Sequence, residues 1–202
     1  SRELGLGDDH SGIIVLPEGK PGQDAIELLQ INDTIFDIAV NPDRGYALSI
    51  RGIAREIAAT LGLSYRDPAK VSIDFKDSGT PVTAKISDGA DVMYLRTLQN
   101  FDPAASSPMW MRSRLEKCGM RSISLAVDIT NYVMLELGQP LHAFDARDVN
   151  GPLTVRQART GESLELIDHS SHELADADVV ISDDSRVLSL AGIMGGAHSE
   201  VH

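Results

Sequence analysis

Apolar positions along the chain repeat at two different periods, and these separate helices from strands. Leu48, Ile53, Ile57 and Leu61 stand near helical spacing, which predicts a helix over 47–61 with Gly62 as its stop. A second helix is expected from an N-cap at Ser107, with Pro108 at the first helical position, to Cys118, where Gly119 closes it. A third begins at Asp128, which can cap it, and ends at Gly138. Strand-type runs are read at 13–16 before Pro17, at 34–40 before Asn41-Pro42, and weakly at 92–98. Four more follow in succession at 154–159, 163–167, 179–182 and 187–190. Thr160-Gly161, Asp168-His169-Ser170-Ser171 and Asp183-Asp184-Ser185 supply the turns between them.

Strands in succession after helices predict an α+β fold. The stretch 66–83 is polar and contains Pro68, Gly79 and Pro81, so it reads as a linker. It divides the chain into a small N-terminal unit, 1–65, and a second domain, 84–202. No internal repeat or low-complexity tract interrupts this order.

Composition narrows the function. Of 202 residues, 42% are hydrophobic, which permits a packed core; only 4% are aromatic, so that core must be aliphatic. No apolar run approaches the ~18 residues that span a membrane. The single cysteine, Cys118, rules out an internal disulfide and suits a reducing cytoplasm; its place on the apolar side of a helix predicts a core position. The net charge of −12 argues against a stand-alone nucleic-acid binder, because phosphate neutralisation supplies most of such affinity. It is neutral about one RNA end held mainly by other parts of an assembly. There is no phosphate-binding loop, no nucleophile elbow and no metal-ligand cluster, so nothing here could activate a substrate with ATP.

The most informative segment is Gly138-Gln-Pro-Leu-His-Ala-Phe-Asp145, directly after the third helix. Glycine ends the helix, proline stops it restarting, and His142 and Asp145 then sit on a constrained, non-helical backbone. His142 reads equally as a buried histidine bonded to backbone or as a site residue. Asp145 can cap a turn or orient His142. Arg121, by itself, reads as a surface cation near a helix C-terminus. Gly192, Gly195 and Gly196 follow a strand, and such clusters usually mark turns but permit close approach of a ligand. His169 and His172 lack an evident third ligand, so metal binding is not expected. Arg112, Arg114 and Lys117 form a basic side of the second helix, read as solvated.

Val127 through Asp145 follow, without a gap, the pattern V-D-[IV]-T-N-Y-V-[ML]-L-E-L-G-Q-P-[LM]-H-A-[FY]-D. This segment resembles the beta subunit of bacterial phenylalanyl-tRNA synthetase. Other blocks are similar to that family in the same order. They are the segment from Glu3 to Pro17; Asn41-Pro-Asp-Arg-Gly-Tyr46 with Leu48-Ser-Ile-Arg-Gly-Ile-Ala-Arg-Glu56; Ser107-Pro-Met-Trp-Met111; Cys118-Gly-Met-Arg-Ser-Ile123; and Gly192-Ile-Met-Gly-Gly-Ala-His-Ser-Glu-Val201. Between 70 and 100 little beyond spacing matches.

The resemblance implies an internal piece of a subunit several times longer. Residues 1–65 would be part of its small B1-like domain, and 84–202 a layered β/β/α editing domain of the B3/B4 type, cut short at its C-terminus. It implies phenylalanine–tRNA ligation for the whole enzyme, with ATP and Mg2+ used elsewhere and no cofactor in this piece. It implies tRNA(Phe) and a synthetase alpha subunit, in an α2β2 heterotetramer, as partners. For this domain it implies hydrolysis of mischarged Tyr-tRNA(Phe). Arg121 would lie near the tRNA 3′ end, His142 would orient a water or the terminal ribose, and Gly195 and Gly196 would line the amino-acid pocket. The family pattern often has an acidic residue after its Gly pair, where this chain has Ala197. Further pocket residues of the family lie beyond residue 202, so the isolated piece is expected to edit weakly or not at all. The alternative is a non-catalytic scaffold that positions tRNA or the alpha subunit.

Overall fold

The computed structural model describes residues 12, 13, 16, 19–73 and 82–201. They form two compact units, each discontinuous in sequence: Ser1–Val71 with Pro103–Leu141, and Ser72–Asp102 with His142–His202. The sequence reading placed everything from residue 84 in one domain. The structure instead groups the helices between 103 and 141 with the N-terminal segment, because their apolar faces pack on each other and on the helix at 50–61.

The first unit is helical. A short α1 (Ala25–Leu28) is capped by Asp24, which accepts from the Ile26 N–H at 2.8 Å. A 3₁₀ segment, Pro42–Leu48, leads into α2 (Ile50–Leu61). Ser49 is the N-cap of α2, its hydroxyl accepting from the Gly52 N–H at 3.0 Å. Gly52 has to be glycine: a Cβ there would run into the Tyr46 carbonyl where the 3₁₀ segment folds against the helix. Gly62, at φ 65°, closes α2 as the sequence predicts. Arg51 and Asp67 form a bidentate pair at 2.8 and 2.7 Å.

Helices α3 (Met109–Lys117) and α4 (Leu125–Leu137) pack together, and α2 packs on α4. Leu115 is fully buried and Met111 nearly so, which gives α3 its apolar face. At the other end of α4, Gly138 adopts φ 75°, and a Cβ there would stand 3.0 Å from the Ser49 hydroxyl.

The second unit is a five-stranded sheet in the order β1-β2-β5-β6-β7, with a separate hairpin β3-β4. The strands are β1 (Ala84–Ile86), β2 (Leu153–Gln157), β3 (Ser163–Glu165), β4 (Ser171–Glu173), β5 (Val179–Ser182), β6 (Val187–Leu190) and β7 (Met194–Gly195). Among the described residues only the β1–β2 pair is parallel; the remainder are antiparallel. Alternation explains the burial: in β2, Leu153 and Val155 are buried on one face of the sheet, and in β5 the register places buried Val180 and Ser182 on the other. Ala158, Leu164, Leu166, Leu174 and Val180 form the core, with Val187, Leu190 and Met194 against it. The chain is thus α+β, as its sequence implies.

Several expectations require correction. The run 34–40 joins no sheet among the described residues, and Ile35 and Phe36 lie open to solvent. A strand needs a neighbour as well as β-branched residues. The run 92–98 likewise forms no strand, with Tyr94 90% exposed. Half of the strand expected at 13–16, residues 14 and 15, lies outside the described residues. Ser107 does not cap α3; Pro108 holds that position and the Ser107 hydroxyl turns to Asp128. Asp128 is not the cap of α4 but lies inside it; Ser124 is the cap. Cys118 is exposed, not core, because it falls at the helix end where the chain turns outward. Helix α1 and strands β1, β4 and β7, all short, have no counterpart in the sequence reading.

Candidate functional site

Arg121 belongs to the first unit, on the link between α3 and α4. Helix α3 ends in a Schellman turn: the Met120 N–H donates to the Leu115 carbonyl at 2.9 Å and the Gly119 N–H to Glu116 at 3.0 Å, with Gly119 at φ 80°. On the other side of Arg121, the Ser122 hydroxyl donates to Asp128 Oδ2 at 2.5 Å and the Ile123 N–H to Oδ1 at 2.9 Å. The Ser107 hydroxyl also donates to Oδ2, at 2.5 Å. Asp128 is completely buried, yet Arg121 itself is exposed. The sequence reading missed this network. The signal was Ser124 followed by three apolar residues, which marks Ser124 as the cap and puts Asp128 on the buried side of the helix.

His142, Gly195 and Gly196 belong to the second unit, where the segment after Leu141 runs beside β7. The imidazole lies directly over Gly195. A Cβ at that position would clash with Cε1 and stand 2.8 Å from Nε2 and 3.4 Å from Nδ1. Phe144 meets the ring edge-on, with centroids 4.4 Å apart. One face of His142 is therefore packed while the residue as a whole stays open to solvent. Loss of hydration on the packed side pushes its pKa below the ordinary 6.5, so the ring is neutral at pH 7. Among the described residues, no group hydrogen-bonds its ring nitrogens. A neutral imidazole offers one N–H and one lone pair, which suits it to hold a water or a hydroxyl.

Gly195 and Gly196 are buried and pinned through their backbones. The Gly195 carbonyl accepts from Ile167 N–H at 3.1 Å, and the Gly196 N–H donates to Leu188 at 2.7 Å. A Cβ on Gly196 would meet that same Leu188 carbonyl at 2.7 Å and Leu164 at 2.8 Å, so only glycine lets this turn lie against β6. The buried Ser199 hydroxyl also donates to Leu188, at 3.1 Å, and its carbonyl receives the Asp145 N–H at 3.4 Å. Asp145 caps its own turn by accepting the Arg147 N–H at 2.8 Å, and it pairs with the Arg147 guanidinium. His169 approaches Glu165 at 3.4 Å, and His172 lies 3.0 Å from the Ser170 hydroxyl. Among the described residues, no group of three or more His, Cys, Asp or Glu is placed to hold a metal ion.

Two cavities lie away from these residues. One, of about 510 Å³, is lined in the first unit by Ile38, Val40, Ile53, Ile57 and Leu61. The other, of about 210 Å³, is polar and sits in the second unit. Within it Arg156 holds Glu162 at 2.6 and 2.8 Å, and Asp183 accepts from the Asn150, Ser185 and Arg186 N–H groups. The Arg114 guanidinium donates to the Tyr132 hydroxyl at 2.7 Å and Lys117 to Asp33 at 2.8 Å, so two cations of the basic side of α3 are engaged within the protein.

The sequence profile of the B3/4 domain family matches residues 89–202. The chain is also similar to phenylalanine–tRNA ligase beta subunits. It is 54% identical to that of Thermobifida fusca, over 98% of this chain and 24% of that protein. The Streptomyces avermitilis protein is 55% identical and the Nocardia farcinica protein 50%, each over 98% of this chain and 24% of its own length. The chain thus spans about a quarter of the length of these curated relatives. Among the described residues, no helix is long and apolar enough to cross a membrane.

Proposed function

The chain belongs to the B3/4 domain family, and from that premise we propose that it serves a phenylalanine–tRNA ligase as the region that hydrolyses mischarged Tyr-tRNA(Phe). The observation that carries this reading is the neutral imidazole of His142 seated on Gly195, at a glycine turn whose backbone is fixed on both sides. Phenylalanine and tyrosine differ by one hydroxyl. An apolar synthetic pocket excludes that hydroxyl imperfectly, and a second site that recognises it removes the error.

Within this reading His142 holds the attacking water, or the terminal ribose hydroxyl, against the aminoacyl ester. Gly195 and Gly196 let the amino acid approach the backbone, and Arg121 binds the 3′ end of the tRNA through phosphate or ribose. Catalysis is then mostly positioning, with little proton transfer by the protein. The reading requires tRNA(Phe) and the synthetase alpha subunit as partners, and it places ATP and Mg2+ chemistry outside these residues. Localisation in the cytoplasm follows from the same assignment.

The test is misacylation. The full synthetase carrying this chain is supplied with ATP, tRNA(Phe) and tyrosine. Wild type should accumulate almost no Tyr-tRNA(Phe). His142→Ala should accumulate it while charging phenylalanine at the wild-type rate. If His142→Ala instead weakens charging and assembly of the subunits together, the region acts as a scaffold and the editing assignment fails.

A further inference from the structure

We infer that Asp128 is a positioning residue for Arg121, clamping the α3–α4 link so that the arginine side chain is presented from an immobilised backbone. The inference rests on the reading of Arg121 as a tRNA-contacting residue. Its geometric basis is independent of that reading.

A buried carboxyl group is costly unless hydrogen bonds replace its water. Asp128 is completely buried, and its three partners are the Ser107 hydroxyl, the Ser122 hydroxyl and the Ile123 N–H. Two of them, Ser122 and Ile123, are the two residues after Arg121 on the link, and the third, Ser107, lies just ahead of Pro108, the N-cap of α3. The residue before Arg121, Met120, is held by its N–H on the Leu115 carbonyl. Arg121 is therefore the free member of a segment tied down at both neighbours. Helix α4 needs no aspartate there for its own stability, since Ser124 already caps it through the Val127 N–H. The carboxyl group gathers two donors from the link, which is what a fixed arginine requires. A long, exposed cation on a mobile loop would lose rotamer and backbone freedom on gripping its ligand; a pre-set backbone removes part of that cost.

Replacing Asp128 risks the fold, so the decisive variant is at Ser122, which is only half buried. Deacylation of preformed Tyr-tRNA(Phe) is measured for the full synthetase with Ser122→Ala, Ser122→Thr, Arg121→Ala and Ser122→Ala/Arg121→Ala, with phenylalanine charging as a parallel readout. Ser122→Ala should slow deacylation roughly tenfold, a fraction of the hundredfold that a 1 Å misplacement costs. Ser122→Thr keeps the hydroxyl and should restore the rate. Ser122→Ala should add nothing on top of Arg121→Ala, and charging should be unchanged throughout.

Full activity in Ser122→Ala, beside an impaired Arg121→Ala, overturns the inference and leaves the editing role of Arg121 standing. A Ser122→Ala loss that multiplies with that of Arg121→Ala, or that extends to charging, shows a general structural effect and overturns it as well. If Arg121→Ala alone leaves deacylation intact, the assignment of Arg121 fails first, and the positioning role falls with it.

Discussion

Replacing Gly195 by alanine probes the contact on which the site is built. Gly195 is not in the left-handed region of backbone space, so alanine carries no intrinsic backbone penalty there. The whole effect must come from the added methyl. It would overlap Cε1 of His142 and stand 2.8 Å from Nε2, against about 3.5–4.0 Å for a relaxed carbon contact. The ring must then retreat by roughly 1 Å, a displacement worth about a hundredfold in rate for a group that positions a reactant. Because the other side of His142 is open, the ring can move without disturbing the core. The stability cost should therefore sit at or below the low end, about 1 kcal/mol, of the range for overpacking. The assay is deacylation of Tyr-tRNA(Phe) by the full synthetase, with thermal unfolding in parallel. In a His142→Ala background the three nearest atoms the methyl would meet are gone, so Gly195→Ala should there cost far less. An equal loss in both backgrounds, or no loss in the wild type, would refute the proposal that Gly195 acts by seating the imidazole.

Three further outcomes follow from the same geometry. Asp128→Ala strips three donors of their acceptor; with an unsatisfied buried donor costing about 1–3 kcal/mol and the Ser122 hydroxyl able to reach water, unfolding should become easier by about 2–5 kcal/mol in denaturant melts. His142 should titrate below 6.5 by NMR. The unfolded chain then takes up this proton first as pH falls, so the residue costs no stability above 6.5 and destabilises the fold increasingly below it; a midpoint above 6.5 would show that its packed side is not desolvated. The Arg51 guanidinium holds Asp67 down at about 2. Its stabilising effect is complete above the ordinary 3.8 and disappears as pH falls through about 2, so Asp67→Asn should flatten the acid limb of the stability profile in that window.

Much of the architecture was legible because local signals are strong where an element closes itself. Gly62, Gly119 and Gly138 all take positive φ at helix ends, and β5 and β6 appear where alternation and turn residues coincide. What escaped notice depends on partners distant in sequence. The run 34–40 has every local mark of a strand and, among the described residues, no strand beside it, while β1, only three residues long, exists because Ala84–Ile86 finds β2 some seventy positions later. Pro108, Ser107 and Asp128 show the same limit. A serine before a proline reads as a cap until a buried carboxyl group on another helix takes its hydroxyl. For the candidate site, the Gly138–Asp145 run pointed to His142, and the glycine cluster to Gly195. That one sits on the other could not be read from a chain in which 52 positions separate them.

The central claim is that His142 belongs to a hydrolytic site selective for tyrosine. The most direct measurement is the rate at which the full synthetase deacylates preformed Tyr-tRNA(Phe) and Phe-tRNA(Phe), with wild-type His142 and with His142→Ala. The account predicts fast loss of tyrosine, slow loss of phenylalanine, and collapse of the tyrosine rate in the variant with aminoacylation intact. An unchanged tyrosine rate in His142→Ala would contradict it and leave this imidazole as packing for a glycine turn.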